Sequence, residues 1–77
     1  MIVRILLWNL ADSKTTLDEL RPRLPPSPNR TWVSDEATER FGVVEQWDDE
    51  PEDFPRELLE LIAHEPVIAE QFDVETP

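Results

Sequence analysis

One stretch constrains the fold of this chain more than any other. The block Ile2, Val3, Ile5, Leu6, Leu7, Trp8 and Leu10 is rich in β-branched and aromatic residues and stops at Asp12 and Ser13, which suits a strand better than a helix. Alternation puts Ile2, Arg4, Leu6, Trp8 and Leu10 on one face and Val3, Ile5, Leu7 and Asn9 on the other. Both faces are apolar, so the strand belongs at the centre of a sheet that is covered on two sides. With 77 residues the chain forms a single domain, 1–77, whose folding buries only about 60% of the surface exposed by the unfolded chain. Cysteine is absent, so neither a disulfide nor cysteine-ligated zinc can supplement so small a core.

The remaining elements follow from local chemistry. Thr16 and Glu19 form a capping-box pattern, and Leu17, Leu20 and Leu24 recur at helical spacing, predicting a short first helix. Pro22 removes a backbone donor and ends or kinks that helix near Arg21, so its replacement by Ala is expected to stabilise the chain. Pro25, Pro26 and Pro28 make a stiff connection up to Asn29. Thr31–Ser34 and Arg40–Trp47 read as two strands of a hairpin. On the second, Phe41, Val43, Glu45 and Trp47 share a face, where Glu45 is either an exposed strand position or a polar lining residue. Phe54, Leu58, Leu61 and Ile62 form the apolar stripe of a second helix, with Pro55 in its first turn, His64 in its last and Pro66 as its stop. Val67 to Val74 gives a final strand, more polar than the first and so placed at an edge. The order β-α-β-β-α-β predicts an α+β, ferredoxin-like arrangement: a four-stranded antiparallel sheet, first and third strands central, both helices on one face. Two helices on one face leave the other side of the first strand bare, and a homodimer through the sheet faces is the simplest cover.

Composition removes several functions. Eighteen acidic residues against seven Lys and Arg give a net charge of -11, which repels nucleic acid and anionic lipid alike. The single glycine, Gly42, cannot build a phosphate-cradling loop, and the single histidine, His64, cannot build a multi-histidine metal site. The acidic run from Asp48 to Asp53 lacks the glycine of a calcium loop and reads as solvated. No bound metal or organic cofactor is expected. The opening apolar run is interrupted by Arg4 and is too short to span a membrane, and it lacks the features of a signal peptide, so a cytoplasmic location is expected.

The stretch from Trp32 to Trp47, with Arg40-Phe41-Gly42 at its centre, together with the opening strand and the closing Phe72-Asp73-Val74, resembles the small YdhR-like monooxygenases of the dimeric α/β-barrel superfamily. The resemblance implies a homodimer of ferredoxin-like subunits and oxygenation of electron-rich phenols without metal or flavin. Such chemistry needs a base, donors aimed at a developing oxyanion and a dry apolar cavity. The candidates are His64 as the base, Asn9 and Arg4 as donors, and Trp8, Trp32 and Trp47 as walls for a flat aromatic small molecule. Each also has a structural reading: core packing for the tryptophans, a carboxylate partner across the dimer for Arg4, a strand-end cap for Asn9. Two classes therefore stand open, a cofactor-free monooxygenase-like enzyme and a noncatalytic dimeric binding or interaction protein.

Overall fold

A computed structural model describes residues 1–75. Strands β1 (Ile2–Asn9), β2 (Arg30–Asp35), β3 (Arg40–Trp47) and β4 (Ile68–Asp73) form one sheet in the order β2-β3-β1-β4, with helices α1 (Leu17–Leu20) and α2 (Arg56–Ile62) in the connections. Every neighbouring pair is antiparallel. This is the ferredoxin-like arrangement, with β1 and β3 central and β4 at an edge, as the element order implies.

Local chemistry sets the boundaries. Leu10 leaves the strand and opens a 3₁₀ turn, Leu10–Asp12, because Asn9 Oδ1 accepts a hydrogen bond from the Ala11 N–H at 3.0 Å. Thr16 Oγ1 caps α1 by accepting from the Glu19 N–H at 3.3 Å. The helix is a single turn that passes into a 3₁₀ turn, Arg21–Arg23, with Pro22 in its opening residues. Proline is compatible with that position, since the first N–H groups of a helical turn have no intrahelical acceptor. Helix α2 begins after Pro55 and ends at Ala63, whose φ of 56° is left-handed and turns the chain out of the helix. His64 therefore lies beyond α2 rather than in its last turn.

The core occupies the helix-covered face. Trp8 and Phe41 from the sheet meet Leu17 and Leu20 from α1 and Leu58 and Ile62 from α2 in one cluster, with Leu24, Trp32, Phe54 and Leu61 packed around it. Leu20, Leu58 and Ile62 are fully buried, and each such side chain contributes about 1.5–3 kcal/mol. Among the described residues the opposite face carries no helix. Register places Leu7 between Gly42 and Ile68, Ile5 between Val44 and Glu70, and Val3 between Gln46 and Phe72 there, with Val33 beside Gly42. Val33, Ile68 and Phe72 are exposed, and Val3, Ile5, Leu7 and Val44 are half-buried.

Candidate functional site

The densest polar construction is an Arg-Glu-Arg cluster across three strands. Register sets Glu45 of β3 opposite Arg4 of β1 on one side and Arg30 of β2 on the other, all on the helix-covered face. The Glu45 carboxylate is fully buried and accepts from Nε of both arginines, from Arg30 at 2.6 Å. The second guanidinium nitrogens reach the loop that follows β3: Arg4 Nη2 donates to the Glu52 carbonyl at 2.7 Å and Arg30 Nη2 to the Asp53 carbonyl at 3.0 Å. Burial by itself pushes the Glu45 carboxyl pKa up, but the hydrogen bonds and charges of Arg4 and Arg30 outweigh it and hold the pKa below its ordinary value. The cluster carries one excess positive charge, which the two loop carbonyls partly offset. It thus ties the loop to the sheet, and Phe54, the next residue, packs on Trp8 and Trp32 with ring centroids 5.0 and 5.9 Å apart.

Glu45 is therefore neither exposed nor lining an open cavity; it is the buried anion shared by two half-buried cations. Arg4 finds its carboxylate within its own chain, not across a dimer. The tryptophans are largely structural in their contacts. Trp8 is buried and its Nε1–H donates to the His64 carbonyl at 3.0 Å. Trp32 stacks on Phe41 with centroids 5.7 Å apart and donates to the Pro25 carbonyl at 3.3 Å. Trp47 is buried beneath the Arg30 guanidinium, 5.2 Å from the ring centre, and its Nε1–H meets no acceptor among the described residues.

His64 is exposed and its Nε2 lies 2.7 Å from the Asp12 carbonyl, which can only accept, so Nε2 carries the hydrogen. Asn9 spends its side-chain oxygen on the Ala11 N–H and belongs to the open face, whereas Trp8 and Arg4 belong to the covered one. Arg4 lies four residues along β1 from Trp8, about 13 Å at strand rise, so it and His64 occupy opposite ends of the covered face. Trp8 and His64 are brought together; Arg4, Asn9 and His64 do not converge on one point. Beside Trp32 and Phe41 lies a half-open recess of about 110 Å³, below the range of about 300–1,000 Å³ usual for small-molecule sites. A wider groove of about 320 Å³, lined by Leu10, Thr16, Leu17, Asp18, Glu36 and Glu39, is acidic and touches none of the six residues singled out in the sequence.

Arg30 was not legible as a site residue because its pairing depends on strand register. Its signal was the charge itself, standing just ahead of a predicted strand that pairs with the strand holding Glu45. No family model matches the chain, and no curated protein or solved structure matches it. No helix among the described residues is long and apolar enough to cross a membrane.

Proposed function

We propose that this chain is a noncatalytic assembly module that pairs with a second copy through its helix-free sheet face. The observation that carries this reading is the distribution of charge. The chain holds 18 acidic residues, yet strand register places only Asp35 and Glu70 on the open face, with Arg40 beside Asp35. A net charge of -11 makes like chains repel, and the face nearly free of that charge is also the apolar one. An isologous contact there covers both copies at once. A cytoplasmic setting belongs to the same proposal, because a chain without cysteine needs no oxidising compartment to fold.

The oxygenase-type reading receives less support. It asks for a base, oxyanion donors and a dry cavity in one place, whereas His64, Asn9 and Arg4 are separated and each side chain already has a hydrogen-bond partner in the fold. Light scattering tests the assembly reading: a dimer of the 9.0 kDa chain is expected at micromolar concentration, tightening as added salt screens the repulsion. Val33→Glu, at an exposed position of the open face, should shift the population to monomer without unfolding it. A wild-type particle that stays at the monomer mass in salt overturns the proposal.

A further inference from the structure

The exposed apolar residues are not spread evenly. Val67, Ile68, Phe72 and Val74 all lie on β4 or at its ends, and Met1 is tied to the same segment because the Val74 N–H donates to the Met1 carbonyl at 2.8 Å. Strand β4 is an edge strand with all six residues exposed. The Met1 and Val74 contact also fixes the direction of its main-chain groups. In an antiparallel ladder, hydrogen-bonded pairs alternate with non-bonded ones, so Phe72, Glu70 and Ile68 face β1. The N–H and C=O groups of Ala69, Gln71 and Asp73 point to the free edge.

We propose that this edge accepts an extended basic segment of a partner protein as a fifth strand. The main-chain groups of Ala69, Gln71 and Asp73 supply the ladder, and the side chains supply the selectivity. On the open face the edge reads Ile68, Glu70, Phe72, an acid between two apolar residues. Residues 65–75 hold Glu65, Glu70, Asp73 and Glu75 and no Lys or Arg, and none of these acids enters an ion pair among the described residues. The complementary strand carries Lys or Arg opposite Glu70 with apolar residues two positions to either side.

A second copy of this chain fits the edge less well than a basic strand. If two β4 strands pair antiparallel about Glu70, Ile68 meets Phe72 of the other copy and Glu70 meets Glu70; paired about Gln71, Glu70 meets Phe72 instead, an acid against an aromatic ring. The first register puts like charges directly opposite and the second leaves Glu70 without a cation, whereas a basic strand supplies one. The ladder uses main-chain atoms at the rim, while Ile68, Glu70 and Phe72 also border the face proposed for pairing, so an added strand widens that face rather than replacing its partner.

The test is a titration of the isotopically labelled full chain with the capped peptide Thr-Ile-Thr-Lys-Thr-Val-Thr and with its counterpart bearing Glu in place of Lys. The Lys peptide should slow hydrogen exchange at the amides of Ala69, Gln71 and Asp73 and bind roughly tenfold more tightly than the Glu peptide, a preference that fades as salt is added. Glu70→Lys should reverse the order of the two peptides, and Glu70→Gln should bring them close together. Equal binding of both peptides to the wild-type chain, protection that misses these three amides, or an order unchanged in Glu70→Lys each overturn the proposal. Should Glu70→Lys fail to fold, an unchanged tenfold preference in Glu70→Gln does the same. Val33→Glu should leave peptide binding intact, which separates this result from failure of the dimer reading.

Discussion

Replacing Glu45 with Gln removes the one anion that holds two largely covered arginines while leaving shape and one acceptor oxygen in place. The Glu45 side chain has no exposed surface, and those of Arg30 and Arg4 keep only 8% and 18% of theirs. Removing one partner from a buried ionic cluster costs about 3–5 kcal/mol, because the remaining charge stays buried without compensation. Water at the partly exposed Arg4 takes up some of that charge, so the expected loss lies near the lower end, about 3 kcal/mol. A domain of this length has a total stability of roughly 4–12 kcal/mol, so the loss is a large share of it. With a urea dependence of about 1 kcal/mol/M, the unfolding midpoint followed by tryptophan fluorescence at neutral pH should fall by about 3 M. The apolar replacement Arg4→Met, Glu45→Leu and Arg30→Met, made together, should restore wild-type stability or exceed it by about 1–4 kcal/mol, since no charge is left buried. A loss under about 1 kcal/mol in Glu45→Gln would mean that solvent screens the cluster. An apolar triple variant as unstable as Glu45→Gln would mean that packing, not charge, explains the loss.

The same cluster sets a pH dependence whose sign can be worked out. The Glu45 carboxyl is held below its ordinary value of 4.5 by Arg4 and Arg30 after burial has been overcome. The unfolded chain therefore binds a proton at this residue before the folded one does as pH falls. The stabilisation is complete well above pH 4.5 and is lost progressively below it, down through the depressed folded value. Acid titrations of stability should thus be steeper in the wild-type chain than in Glu45→Gln below that pH, and parallel curves would remove Glu45 as the cause.

Gly42→Ala should destabilise the chain by about 1–3 kcal/mol in the same urea assay, because a Cβ there collides with the backbone carbonyl of Leu6 and comes within 3.0 Å of Leu7 Cδ1. Trp8→Phe should cost about 1 kcal/mol more than Trp47→Phe, beyond their shared loss of ring area, because the Trp8 Nε1–H has the His64 carbonyl as partner and the Trp47 Nε1–H has none among the described residues. Pro22→Ala should lower stability by about 0.4–1 kcal/mol, through a more flexible unfolded chain, since Pro22 sits in the opening of a 3₁₀ turn. That is the reverse of what the leucine spacing alone implies, and a rise in melting temperature would return Pro22 to the role of helix breaker.

What the sequence made legible was whatever depends on periodicity and punctuation. Alternation in Phe41 to Trp47, helical spacing in Leu58, Leu61 and Ile62 and the two-faced apolar block at the start were enough to order the strands and to place both helices on one side, although Phe54 and Pro55, expected within the second helix, precede it. Periodicity assigns a side chain to a face and says nothing of what stands opposite it. That is why Glu45 was readable as a polar residue on an apolar face and unreadable as a buried one: its burial depends on Arg4 and Arg30, brought opposite it by registers 41 and 15 residues apart in sequence. The same limit applies to His64, which residue type marks as the candidate base and which the fold uses through its backbone carbonyl and a ring nitrogen hydrogen-bonded to Asp12. Residue type nominates candidates for chemistry, and convergence decides among them. In this fold the groups that converge are two guanidiniums, one carboxylate and two loop carbonyls, which bond to one another and carry one excess positive charge. Among the described residues the apolar sheet face and the free edge of β4 have no partner within the chain, and that is the ground on which assembly is proposed ahead of turnover.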